Sequence, residues 1–191
     1  MSDIWKPEVE LFETLVGSVP TILASQKSNG QFGDDPWICR DQHLILPLAT
    51  AWSLEMSPYY PSDTVLEAIV RGGDALIDAQ DNMGMWTFRK KDHSTWGQIF
   101  MPWTYSRWIR TYEIIREAVD DAAVHRWDAA LTLGFEGIAD RELSRIHNIP
   151  THHAMALYCA GRLLGRPQWR EKARDFLHQV VAEQSPHGWW T

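Results

Sequence analysis

The sequence predicts an all-α fold of helical hairpins, on three observations. Apolar residues recur at spacings of three and four with no run of period-two alternation, a Gln-x3-Gly-x-aromatic motif repeats, and short connections alternate with long ones. The 191 residues, 45% hydrophobic and 23% charged, are one domain's worth of chain with enough apolar material for a core, which sets aside disordered and collagen-like classes.

Seven helices are expected, over 7–25, 43–54, 63–80, 102–118, 122–140, 151–164 and 168–184. Pro7 stands at the start of the first, Ser62-Asp63 precedes the third, Thr151 follows Pro150 at the sixth, and Pro167 occupies a first-turn position of the seventh. Gly165 marks the stop between the last two. Helices 43–54, 102–118 and 122–140 rest on apolar spacing alone.

The repeat reads Gln26-x3-Gly30-x-Phe32, Gln80-x3-Gly84-x-Trp86 and Gln184-x3-Gly188-x-Trp190, with separations of 54 and 104 residues. A period of about 50 residues, two helices long, is the signature of stacked helical hairpins. The Gln side chain is suited to free carbonyls at a helix end, the Gly to a left-handed exit, and the aromatic to folding back on the hairpin. The unit expected near residue 132 lacks the motif.

Connections near 55–62, 119–121 and 165–167 are short, whereas those near 26–42, 81–101 and 141–150 are long. In an alternating array the long ones emerge at one end, where binding and catalysis usually sit. That end collects Asp34, Asp35, Trp37, Arg40, Asp41, His43, Arg89, His93, Trp96, Trp103, Arg107, Asn148, His152, His153 and Trp189. Charge is partitioned too. Residues 85–112 carry Arg89, Lys90, Lys91, Arg107 and Arg110 against Asp92, a balance of +4, while residues 113–140 balance at −5. A basic mouth bearing several of the 11 tryptophans, on an acidic body of net charge −7, suits an anionic ligand that stacks on aromatic rings. The overall charge argues against general nucleic-acid binding.

Hairpins of this period with Gln-x3-Gly-x-Trp turns resemble the (α/α) toroids of polysaccharide lyases, six-hairpin glycoside hydrolases and triterpene cyclases. Residues Arg71 to Trp86 are similar to the cyclase QW motif, with Ala75 in place of its usual aromatic and no DxDD or DCTAE acid motif elsewhere. The segment His147-Asn148-Ile-Pro-Thr151-His152-His153-Ala-Met-Ala-Leu157, followed by Gln168-Trp169 and the Gln184 turn, resembles the Asn/His-bearing inner helix of the alginate, glucuronan and heparinase-like lyases. In the alginate lyase pattern Asn and His are adjacent; here Asn148 and His152 are four apart.

The resemblance implies cleavage of a uronate-containing polysaccharide by β-elimination. That reaction needs a group to neutralise the carboxylate, a base for the C5 proton and an acid for the departing O4. Asn148 and His152 share one helical face near its N-terminus, and His153 lies about 100° around. Asn148 is then the expected neutraliser, His152 or His153 the base or second neutraliser, and Tyr105 the acid. Arg107, Arg89 and Arg40 are candidate carboxylate holders, with Trp37, Trp96, Trp103, Trp189 and His93 as further substrate contacts. A toroid hydrolase such as an unsaturated glycuronyl hydrolase is the alternative, through Asp34, Asp35 and Asp41, and a non-catalytic helical-repeat module binding glycan or protein is the other.

No P-loop, GxGxxG, GxSxG or kinase signature is present, and no cofactor is expected. His147, His152 and His153 lack HExxH spacing and Cys39 and Cys159 lie outside any CxxC pattern, so no metal site is expected. No apolar run approaches a membrane span, and Met1 to Lys6 do not read as a secretory leader, giving a cytoplasmic expectation that becomes periplasmic or secreted if a leader was removed. Seven helices make three and a half hairpins against the six or so, roughly 300 residues, of a closed ring. Residues 1–191 are therefore expected to be a single domain forming the N-terminal half of a larger toroid, inactive alone, with open faces that invite self-association.

Overall fold

The computed structural model describes residues 7–188. The fold is all-α apart from one small hairpin. Its helices are α1 (Pro7–Ser25), the single turn α2 (Ile38–Asp41), α3 (Ile45–Ser53), α4 (Asp63–Ala79), α5 (Pro102–Ile115), α6 (Asp121–Ala139), α7 (Asn148–Leu163) and α8 (Pro167–Ala182). Strands β1 (Trp86–Arg89) and β2 (Thr95–Ile99) lie between α4 and α5. Among the described residues no helix is long and apolar enough to cross a membrane.

The seven expected helices are all present, with starts set by local chemistry. Ser62 accepts from the Val65 N–H and Asp120 from that of Ala123, each capping a helix. Pro102 and Pro167 occupy first-turn positions of α5 and α8. Helix α7 begins three residues earlier than expected because His147 caps it, its Nδ1 accepting from Ile149 N at 3.3 Å. The expected 43–54 helix is preceded by α2 and a 3-10 turn over Gln42–Leu44.

The β-hairpin was not expected. β1 pairs antiparallel with β2, Trp86 opposite Ile99 and Phe88 opposite Gly97, with a bulge between Phe88 and Arg89. Both strands are short and β2 is almost wholly exposed, so neither carries the one-sided burial that makes alternation legible.

Two rows organise the helices. α3, α5 and α7 pack side by side, while α1 and α4 pack on α3, α6 and α8 on α7, and α4 on α6. Central α5 is the most deeply buried element, with Tyr105, Trp108, Ile109, Tyr112 and Ile115 all inaccessible. Trp127 of α6 meets Trp108 edge-on at 5.8 Å and donates Nε1–H to Asp74 at 3.0 Å. Trp86, Trp108, Trp127 and Trp169 are core residues, which accounts for a large share of the tryptophan content.

The repeated glutamine turns join the second row. Gln26 Nε2 donates to Gly30 O at 3.2 Å and to Ala68 O, in the middle of α4, at 2.8 Å. Gln80 Nε2 donates to Gly84 O at 3.4 Å, to the Tyr105 hydroxyl at 2.7 Å and to Ala130 O, in α6, at 3.2 Å. The amide thus reaches beyond its own turn to the next helix of the row. Gly30 and Gly84 have φ of +84° and +82° and lie directly against backbone of α4 and α6, where no β-carbon fits. Gln184 bonds to Gly188 O at 3.0 Å and is exposed. Truncating Gln80 to alanine should therefore cost about 2 kcal/mol, whereas Gln184→Ala should leave stability within about 0.5 kcal/mol, both read from urea unfolding midpoints.

Candidate functional site

The long connections meet at one end of the array. Trp37, from the connection after α1, lies 4.2 Å from Phe88 of β1 between ring centroids, and Phe88 stacks on Trp96 of β2 at 5.3 Å. Trp103 in the first turn of α5 lies 5.4 Å from the ring of His152 in α7. Trp37, Phe88, Trp96, Met101, Trp103 and Ile149 line a half-open cavity of about 370 Å3. Beside it, Asn148, His152, His147, Thr151, Ile146 and Met155 line a second of about 270 Å3. Thr87 and Arg89 of β1 line a third of about 400 Å3 with Gln31 and Asp35. Trp86 lines this third cavity as well, so the hairpin lies between a mainly aromatic space and one rich in polar side chains.

Arg107 stands one turn beyond Trp103 on α5, with its charge felt by two histidines. Half-buried on α5, it donates Nη1–H to the Trp103 carbonyl at 3.3 Å. Burial first, and then the Arg107 charge, lowers the basicity of both His43 and His152. His43 falls from 6.5 to about 4, with Arg40 adding to the effect. The Thr104 hydroxyl donates to Cys39 O at 3.3 Å, so its oxygen is free to accept from His43 Nε2, 3.4 Å away, leaving Nδ1 as the imidazole acceptor. Both rings are neutral at pH 7. α5 also starts here, and the N–H groups of its first turn add positive potential.

Acid stability should register His43. The unfolded state takes up a proton near pH 6.5 and the folded state only near 4, so this contribution is full above 6.5 and is lost as pH falls through that window. His43→Gln should flatten the stability profile between those limits, as measured by urea unfolding at stepped pH.

Two expected catalytic residues are corrected. Tyr105 is 0% exposed, its hydroxyl held between the Gly84 carbonyl and the Gln80 amide, and burial pushes its pKa far above the ordinary phenol value. It cannot reach a ligand, because it locks the second glutamine turn. His153 is 8% exposed, with Nε2 2.8 Å from Phe100 O, and burial lowers its pKa. It ties α7 to the end of the hairpin connection.

Asn148 and His152 do share a cavity, Asn148 exposed and His152 half-buried with its Nδ1 unpartnered. Trp37, Trp96 and Trp103 converge on the aromatic cavity, Trp96 being 74% exposed with Lys90 Nζ 4.7 Å from its ring centre. Arg89 faces the polar cavity instead. Arg40 pairs with Asp35 at 3.3 Å, and His93 sits in the hairpin turn at φ 64°; neither lines these cavities. Trp189 lies outside the described residues.

The acids proposed for hydrolysis order their own loop. Asp35 accepts from Trp37 N, Asp41 from Gln31 and from Asp35 N, and Asp34 pairs with Lys27. Sequence reasoning gave His43 and Phe88 no role. Phe88 followed from the unforeseen hairpin, and His43 becomes significant only once α5 brings Thr104 and Arg107 beside it. No protein family model, curated protein or solved structure matches this chain.

Proposed function

We propose that this end of the array binds the uronate of an acidic oligo- or polysaccharide and acts on it as a lyase, by β-elimination. The observation that carries the reading is geometric: Asn148 and the unpartnered Nδ1 of His152 share one cavity, the His152 ring lies 5.4 Å from Trp103 of the adjoining aromatic wall, and Arg107 stands one turn further along α5. A carboxylate paired with Arg107 has its adjacent C–H acidified, since the enolate-like charge is stabilised by the same cation. His152 is the base, its neutrality at pH 7 being the state that accepts a proton. With Tyr105 in the core, the imidazolium formed on His152 returns its proton to the departing O4, so one residue serves both steps. Asn148 supplies a neutral hydrogen-bonding group on the same helical face.

A second reading, a non-catalytic acidic-sugar-binding module, is favoured by one observation: the tyrosine expected to act as acid is buried. Incubation with a panel of polyuronates, following the ultraviolet absorbance of an unsaturated uronate, separates the two. Product that depends on His152 supports the lyase. Saturable binding without product supports the module, and reducing-end release without that absorbance rejects elimination.

A further inference from the structure

We infer that α5 carries a second anionic subsite, at which Arg110 receives a carboxylate from the sugar next to the one bound at Arg107. The ligand is then a chain with acidic groups on consecutive residues. The inference rests on the proposed uronate contact at Arg107 and narrows the substrate class.

Burial along α5 leaves one accessible strip. Trp103, Arg107, Arg110, Glu113 and Ile114 are the residues of this helix that are not buried, and their spacing puts them on one face. On α7, His152, Met155, Cys159 and Arg162 are likewise accessible at steps of three and four. Two contacts fix how the strips lie. The Trp103 and His152 rings are 5.4 Å apart, and Arg162 donates to the Glu113 carboxylate. These are equal steps along both helices, so the strips run side by side for about 15 Å away from the His152 cavity. That length has room for a short oligosaccharide.

Charge along this track is unbalanced. Glu113 is the one acid on the α5 strip, and Arg162 holds it. Among the described residues no carboxylate pairs with Arg107 or Arg110. Burial, and then the Arg110 charge, lowers the basicity of Arg107. Arg110 is felt across the gap to α7 as well: burial raises the Cys159 thiol and Glu113 adds to this, while Arg162 and Arg110 oppose it. Like charges one turn apart oppose each other, so the fold gains nothing from this pair of guanidiniums. A ligand with two carboxylates offsets the repulsion and meets a planar fork at each. Three residues of helix rise about 4.5 Å, comparable with one sugar ring, and the long arginine arms reach either edge of a chain lying along the strip. A chain acidic only on alternate residues would set a neutral sugar against Arg110.

Isothermal titration at pH 7 tests this with a glucuronan trisaccharide, acidic on every residue, and a hyaluronan tetrasaccharide, acidic on alternate ones. Both are titrated into the full chain carrying His152→Gln, so that neither is consumed. The trisaccharide should bind at least tenfold more tightly than the tetrasaccharide. Adding Arg110→Gln, at an exposed position, should erase that difference and leave the tetrasaccharide within twofold. Equal affinities at the outset, an equal loss for both probes or no loss for either overturns the second subsite. The uronate reading then stands if Arg107→Gln still weakens both. If Arg107→Gln changes neither affinity, or neither probe binds, the uronate contact fails and the second subsite with it.

Discussion

Gly134→Ala should destabilise the protein by about 3 kcal/mol, although alanine is the better helix former by about 1 kcal/mol. A β-carbon at this position in α6 would overlap the Tyr105 hydroxyl, and the Gly134 backbone already abuts Gly84. Relief requires moving Tyr105, which releases the Gly84 carbonyl and one Gln80 bond together. Gly17 in α1 is the control. Nothing lies within 4 Å of its would-be β-carbon, so Gly17→Ala should be neutral or stabilise by up to about 1 kcal/mol. Urea unfolding midpoints of the two variants should move in opposite directions. Equal destabilisation would mean that the close approach at Gly134 is not what selects glycine there.

His152→Gln should lower turnover of a polyuronate at least 100-fold with little change in KM, and Arg107→Met should raise KM as well as lower kcat. The difference follows from the roles. Removing the base takes away an interaction made as the proton moves, whereas Arg107 meets the carboxylate before and during that step. Arg107→Lys keeps the charge but not the planar fork, and should recover part of the loss. Tyr105→Phe discriminates further, since it removes a hydroxyl that holds the Gly84 turn. Its unfolding midpoint should fall while the turnover of the folded fraction stays unchanged, an outcome incompatible with a catalytic acid. If His152→Gln retains full turnover, proton abstraction by that residue is excluded.

The helices were legible because each buries one face against the others, and such burial leaves its spacing in the chain. The glutamine turns were legible as a repeat but not in what they join. That Gln80 reaches Ala130, fifty residues away, depends on α6 lying beside α4. The hairpin carrying Phe88 and Trp96 was not legible, since strands of four and five residues with one mostly exposed leave no alternation. Within the site, Asn148 and His152 could be paired from their spacing on one helix. Tyr105 and His153 look equally available in sequence, because whether an aromatic or imidazole faces ligand or core is decided by its neighbours.

Signals local to the chain were enough for the helical class, the hairpin period, the end at which long connections gather and the basic, tryptophan-bearing character of that end. These follow from local periodicity, turn chemistry and composition, which each segment carries alone. Packing, by contrast, put Tyr105 and His153 into structural roles, set His43 against Thr104, and placed the hairpin between a mainly aromatic cavity and a more polar one. Burial, imidazole basicity and cavity lining are sums over residues distant in the chain, and packing alone brings those residues together.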